Sequence, residues 1–251
     1  MYLLMDNVVV IMAGGLGKRM NSDIPKVLHK VNDKPMLVHV IESAIAIQPI
    51  KIYIVVGKYA PIIKDTLYYY DLLDYIEFIK QEQALGTGHA IQCCRPYLYQ
   101  HEYSNTIILS GDVPLITTDT IKHMIRNLEY GRILVTNLED PTGYGRVIVN
   151  SKGKFERIIE EKDCNDLERK CQKINAGIYS FDTITLCKYL PLLSNSNAQG
   201  EYYLTDIVEI IKNKEDVDIE MYEMPKEKQI ELTGVNTEQQ LVELNNLLKT
   251  K

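Results

Sequence analysis

The chain has 251 residues, 45% of them apolar, and a formal net charge of −6. That length supports one large domain, or one with a small attachment, whose core needs no disulfide or metal staple. The acidic balance argues against nonspecific nucleic-acid binding, and no stretch approaches the roughly 20 apolar residues that span a bilayer. Five cysteines, at 93, 94, 164, 171 and 187, form no CxxC or Cys/His metal pattern. With no basic targeting segment in MYLLMDN, a reducing cytoplasm is the expected location.

Residues 8–12 (VVVIM) form a buried strand running into glycines 14, 15 and 17. Residues 35–47 form an apolar helix with proline in its first turn. Residues 52–56 (IYIVV) are the next strand, 60–70 a helix, 75–80 a strand, and a short helix follows LGTGHA. Strand 106–110 (TIILS) ends at Gly111-Asp112. Strands alternating with helices at this spacing predict a mixed, mostly parallel sheet flanked by helices, Rossmann-like in class. Ligands of such sheets bind beyond the carboxyl ends of the strands, which is where the glycine loop and Asp112 both fall. From residue 143 the pattern changes. Segments 145–149 and 154–160 alternate around Gly153 as a hairpin, and 174–181 is a further strand, giving a small β-rich lobe. Helices are expected at 183–193 and 203–212. The closing segment is helical, with Leu241, Leu244 and Leu248 on one stripe. The expected division is residues 1–236 as the main domain and 237–251 as a C-terminal helix.

The loop AGGLGKR, residues 13–19, matches neither of two familiar fingerprints. A dinucleotide loop needs a third glycine where Met20 stands, and a Walker A loop needs glycine at Met12 and Ser or Thr at Arg19. What remains is a strand, a turn without side chains and two cations. Such a turn lets backbone N–H groups approach a phosphate or base, and Arg19 can clamp a phosphate bidentately. Residues 18–34 carry five Lys and Arg against two Asp, a basic patch in an acidic protein that fits a small anion. Within it, Lys26 follows Pro25 at a helix start, where the helix dipole disfavours a cation unless an anion sits nearby.

The blocks MAGGLGKRMNSDIPKVL, QEQALGTGHA, SGDVPL, DPTGYGR, KINAGIY and NAQGEYYLTDI, in this order from residue 8 to about 236, carry a resemblance. Together they resemble the pyrophosphorylase domain of bacterial N-acetylglucosamine-1-phosphate uridyltransferase, a sugar nucleotidyltransferase. The resemblance implies the nucleotide-diphospho-sugar transferase fold and a Mg²⁺-dependent enzyme of UDP-GlcNAc biosynthesis. Its substrates would be UTP and N-acetylglucosamine 1-phosphate, its products UDP-N-acetylglucosamine and pyrophosphate. It implies Ala13, Gly14, Gly15, Gln81, Gly86 and Thr87 as nucleotide-binding residues. An amide at 81 offers the donor and acceptor that a uracil edge uses. Arg19 and Lys26 would be catalytic, Asp112 and Asn236 (in TGVN) the Mg²⁺ ligands, and Gly145, Glu160, Asn175 and Tyr202 the sugar-binding set.

Two departures stand out. The family loop usually reads LAAGxGTRM, whereas here Gly14 and Lys18 replace Ala and Thr, and the AGG form is common in related enzymes acting on glucose or mannose 1-phosphate. A uridylyl- or thymidylyltransferase for glucose 1-phosphate is therefore the alternative within the class, and a non-catalytic nucleotide-sugar sensor the alternative outside it. The bifunctional family members also carry an acetyltransferase domain. The chain ends at Lys251, so no acetyltransferase activity is expected. No nucleic-acid or membrane partner is expected, and the oligomeric state is left open.

Overall fold

The computed structural model describes residues 5–249 except 16 and 21, and omits the side chain of Lys18. The N-terminal segment 1–4, Leu16 of the glycine loop and residues 250–251 of the expected C-terminal helix therefore lie outside the described residues.

Strand β1 (Asn7–Met12) passes through 3₁₀ turns at Lys18–Met20 and Lys26–Leu28 into a hairpin of β2 (Lys30–Val31) and β3 (Lys34–Pro35). Then come α1 (Met36–Ile45), β4 (Lys51–Val56), α2 (Ala60–Tyr69), β5 (Ile76–Lys80), α3 (Thr87–Leu98) and β6 (Asn105–Ser110). The second half holds α4 (Thr118–Ile125), β7 (Gly131–Asn137), β8 (Arg146–Val149), β9 (Phe155–Ile159) and β10 (Lys173–Asp182). It closes with α5 (Thr183–Tyr189), α6 (Asp206–Glu215), β11 (Glu220–Glu223) and α7 (Glu238–Lys249).

The main sheet runs β11-β7-β10-β6-β1-β4-β5. Its β6-β1-β4-β5 portion is parallel, and β10 lies antiparallel between β6 and β7. Alternating side chains divide the core in two, as successive residues of a strand must. Val8 and Val10 of β1 pack on one side with Ile91, Leu98, Leu186 and Ile207 of α3, α5 and α6. Val9 and Ile11 pack on the other with Val38, Ile41, Ile63 and Ile121 of α1, α2 and α4. Covering both faces is why these strands read as unbroken apolar runs. The mostly parallel sheet flanked by helices is thus as the sequence predicts.

The β8–β9 hairpin forms the small lobe, hung from β10 through the pair Ile174–Arg146. Pro35 precedes α1 as its N-cap, with φ −54° and ψ 139°, rather than lying in its first turn. The α-helix expected to reach residue 193 ends at Tyr189 and continues as a 3₁₀ turn, Leu190–Leu192, because Pro191 has no N–H to continue the ladder. The helix expected at 203 starts at Asp206, which leaves residues 203–205 for the site. In α7, Leu244 is buried, and Leu241 and Leu248 pack with it against Val31, Met36 and Val235.

Candidate active site

The parallel register aligns Met12 with Val55 and with Ser110, and Val56 with Lys80. The segments that leave β1, β4, β5 and β6 therefore emerge on one edge of the sheet. Gly14, Gly57, Gln81 and Asp112 meet there although they are far apart in sequence. Gly111 is pinned by its N–H to the Met12 carbonyl at 3.0 Å, and Gln81 by its N–H to the Val56 carbonyl at 2.8 Å.

The charged centre is built around Lys26. Gly17 is left-handed (φ +59°), and a Cβ there would lie 2.9 Å from the Lys26 Cβ, so the glycine turn packs directly on the lysine. The Lys26 ammonium is ion-paired with Asp112 Oδ2 and donates to Asn236 Oδ1 at 3.0 Å. Arg19 Nη2 donates to the same Asn236 oxygen at 3.2 Å. Ser110 Oγ donates to Asp112 Oδ1 at 2.6 Å and orients the carboxylate. Asn236 arrives from the far end of the chain. Glu231, 6% exposed, accepts from Thr117 N and from the Thr117 and Thr120 hydroxyls at the start of α4. A carboxylate at a helix N-terminus is favoured by the dipole, so it anchors the preceding segment. Val235 N–H then donates to the Asp112 carbonyl at 3.0 Å, which delivers Asn236 beside the aspartate.

These oxygens suit a hard divalent cation. A carboxylate and an amide carbonyl already flank one cation, the ammonium of Lys26. Among the described residues no three His, Cys, Asp or Glu side chains are arranged to hold a metal ion. An ion held here by Asp112 and Asn236 must take its other ligands from water and phosphate, as Mg²⁺ does.

The second group is formed by Gly14, Gln81 and Gly86. Gln81 Nε2 donates to the Gly86 carbonyl at 3.1 Å and lies 3.0 Å from His89 Nδ1. A Cβ on Gly14 would come within 3.2 Å of Gln81 Oε1. Ala13 is buried, its N–H spent on the Val55 carbonyl at 2.8 Å; Gly15 is exposed, with open space where a Cβ would stand. Thr87 Oγ1 accepts from Leu204 N–H at 3.1 Å, so its hydroxyl holds the neighbouring loop.

The third group is the predicted sugar set. Asn175 N–H donates to the Gly145 carbonyl at 2.9 Å, which seats β10 beside the GYGR turn. A Cβ on Gly145 would meet Ile158 Cγ2 at 3.0 Å and Glu160 Oε2 at 3.6 Å, so glycine keeps this side of the carboxylate clear. Asn175 is turned into its own β-bulge. Its amide donates to Tyr179 OH at 2.6 Å and its oxygen accepts from Gly177 N–H at 3.2 Å. Tyr202 acts through its backbone, accepting from Gly88 N–H at 2.7 Å and donating to the Leu85 carbonyl at 2.8 Å. Three residues further on, Thr205 donates to Glu160 Oε1 at 2.9 Å. Residues 202–205 thus tie the Gly86–Thr87 segment to Glu160.

Ser110, Tyr144 and Thr205 interact with the candidate residues Asp112 and Glu160, and sequence reasoning passed over all three. Burial, and after it the charge of Asp112, raise the Tyr144 hydroxyl above its ordinary pKa. Ser110 and Tyr144 lie inside the motifs SGDVPL and DPTGYGR and were legible by position alone. Thr205 gives no such signal until it is seen on Glu160.

Burial is also the first cause of a raised Glu160 carboxyl, opposed by the Thr205 hydrogen bond and supported by Asp163 and Glu201. Asp206 is raised to about 6 from an ordinary 3.8, by burial and then by Glu160, Glu209 and Asp163. A carboxyl raised on folding favours the native state most below its unfolded pKa, and that advantage disappears as pH rises through about 6. Asp206→Asn should therefore match the parent near pH 4 and exceed it in stability by about 1 kcal/mol near pH 8. Urea midpoints at the two pH values check this, and a constant difference across them would remove the assigned cause.

A profile described as the MobA-like NTP transferase domain matches residues 9–169, well over half the chain. The chain belongs to that family. It is a nucleotidyltransferase of the sugar-1-phosphate class, and its motif resemblance to the pyrophosphorylase domain is borne out. A probable UDP-N-acetylglucosamine pyrophosphorylase of Acanthamoeba polyphaga mimivirus is 41% identical over 245 residues, covering 96% of each chain. The bifunctional protein GlmU of Thermoanaerobacter pseudethanolicus is 42% identical over 97% of this chain and 52% of its own. The chain spans about half the length of such bifunctional relatives. Two solved structures share the fold at TM-score 0.75. One is a putative glucose-1-phosphate thymidylyltransferase from Bacillus anthracis, 20% identical, covering 98% of this chain and 96% of that one. The other is a UDP-glucose pyrophosphorylase complexed with UDP-glucose, 16% identical, covering 98% and 99%. Among the described residues of this nucleotidyltransferase, no helix is long and apolar enough to cross a membrane.

Proposed function

We propose that this nucleotidyltransferase transfers UMP from UTP to N-acetylglucosamine 1-phosphate, forming UDP-N-acetylglucosamine and releasing pyrophosphate. The observation that carries the proposal is the cluster of Arg19, Lys26, Asp112 and Asn236, set on the same sheet edge as the Gly14–Gln81 pair. The mimivirus relative, similar over nearly its full length, supports the choice of base and sugar.

A phosphate oxygen of the sugar substrate attacks the α-phosphorus in line with the departing pyrophosphate. The obstacle is charge: two unit anions about 4 Å apart repel by roughly 4 kcal/mol at an effective dielectric near 20. Arg19 holds the leaving pyrophosphate with its planar fork. Lys26 stands against the α-phosphate and stabilises the charge that grows on it. Asp112 and Asn236 hold Mg²⁺, which when bound neutralises and orients phosphate oxygens. Gly14, Gln81 and Gly86 hold the base. Glu160 accepts from sugar hydroxyls, Gly145 keeps space for the ring, and Asn175 and Thr205 fix the pocket wall.

Pyrophosphate release over UTP, CTP and dTTP, crossed with the 1-phosphates of N-acetylglucosamine, glucose and N-acetylgalactosamine, tests the assignment. UTP with N-acetylglucosamine 1-phosphate should give the highest kcat/KM. Excess EDTA should lower the rate about 10²-fold or more, and added Mg²⁺ should restore it. Faster turnover of glucose 1-phosphate would replace the sugar assignment, and indifference to EDTA would remove the metal. UDP-N-acetylglucosamine binding without turnover would mark a sensor.

A further inference from the structure

We propose that His89 is a positioning residue that fixes which end of the Gln81 carboxamide meets the base, and so selects uracil over cytosine. This rests on the placement of Gln81 against the base proposed above.

Gln81 Nε2 lies 3.1 Å from the Gly86 carbonyl oxygen. A carbonyl only accepts, so the amide nitrogen, and not its oxygen, belongs there. The same nitrogen lies 3.0 Å from His89 Nδ1. A primary amide has two hydrogens. With one on Gly86, the other points to His89, so Nδ1 presents its lone pair and the ring proton sits on Nε2, which faces Cys93 Sγ at 4.0 Å. The imidazole is held from α3 and flanked by the Tyr202 ring, centroids 6.2 Å apart.

With both hydrogens committed, the amide has Oε1 left to offer. That oxygen faces Gly14, where a Cβ would come within 3.2 Å of it. Gln81 therefore meets the base as an acceptor, and not as the combined donor and acceptor expected from its chemistry alone. Uracil carries a hydrogen on N3, and cytosine carries a lone pair there. An acceptor pairs with the first and opposes the second, so discrimination is built as much from repulsion as from attraction. Thymine shares the N3 hydrogen, so this device does not separate UTP from dTTP.

Two measurements test it on the full chain. Long-range ¹⁵N NMR of the histidine rings should find His89 with the proton on Nε2 and a bare Nδ1. Kinetics with UTP and CTP should then be compared for the parent, His89→Leu and His89→Asn. His89→Leu should reduce the UTP-over-CTP preference about 10-fold or more, through KM for the triphosphate rather than kcat. His89→Asn sets an amide oxygen near the place of Nδ1 and should recover most of the preference. A proton on Nδ1, or a preference that His89→Leu retains, would overturn the inference and leave the proposed reaction standing. A parent that uses CTP as well as UTP would overturn the base assignment itself. Should the leucine variant fail to fold, the tautomer of the parent and the preference of the asparagine variant decide the matter: lost preference in the latter counts against His89.

Discussion

Lys26→Met lowers turnover about 10²- to 10³-fold, the size expected when one preorganised charge is removed from a developing oxyanion. The direct measurement is single-turnover pyrophosphate release at saturating substrates. Thermal unfolding should move little. Asp112 keeps the Ser110 hydrogen bond at 2.6 Å, and its side chain retains a 12% exposed edge for water or a cation. The informative companion is Mg²⁺ affinity. In the parent, the Lys26 ammonium lies against the two oxygens proposed to hold the metal, Asp112 Oδ2 and Asn236 Oδ1. Removing it takes away both a competitor and a repelling charge, so the apparent Mg²⁺ affinity should rise while the rate falls. A joint fall in rate and metal affinity would instead make Lys26 a support for the metal site. An unchanged rate would end its assignment to the α-phosphate. Arg19→Ala should lose rate on a similar order, about 10²-fold, with a smaller gain in metal affinity, because Arg19 contacts Asn236 Oδ1 but not the Asp112 carboxylate.

Gly86→Ala destabilises the protein by about 3 kcal/mol or more, through two independent mechanisms. Gly86 has φ +109° and ψ 173°, a backbone state closed to L side chains. The added Cβ would also stand 2.5 Å from the Tyr202 carbonyl oxygen and 2.9 Å from Tyr202 N and Glu201 Cβ. The two Tyr202 atoms are backbone, held by the bonds Gly88 N–H to Tyr202 O and Tyr202 N–H to Leu85 O, so they can retreat only by breaking those bonds. Gly153→Ala is the internal control. It too has a positive φ, +74°, but nothing lies within 4 Å of its Cβ position, so it should cost only the left-handed strain, about 1 kcal/mol. Urea midpoints with unchanged m-values compare the two. Equal shifts would mean that the Tyr202 loop is not clamped on Gly86. A folded Gly86→Ala protein should also show a raised KM for UTP, because Gly86 holds the Gln81 amide.

Strands β1, β4 and β6 of the parallel half are legible because each holds an apolar run buried on both faces and leads into a glycine, whereas the edge strand β5, IEFIK, is only partly buried. The run GRILVTN (β7) carries the same signature but lies in the stretch after Asp112 that was read without elements, as does α4. Strand β11, EMYE, has no apolar run to announce it; it exists because β7 offers a free edge. The insertion of β10 between β6 and β7 has no local signal either, since pairing partners are selected by burial across the whole domain.

Sequence alone set the local chemistry: a glycine turn with two cations beside it, an aspartate at a strand end and an asparagine near the C-terminus. Tertiary structure alone decided their company. Lys26 meets Asp112 across 86 positions of chain and Asn236 across 210, joined by strand register and by the Val235–Asp112 backbone bond. It also decided orientation, committing the Gln81 amide nitrogen to Gly86 and His89 and turning the Asn175 amide back into its own strand. Residue type sets which hydrogen bonds a side chain can make, whereas the fold sets which of them are already made before a ligand arrives.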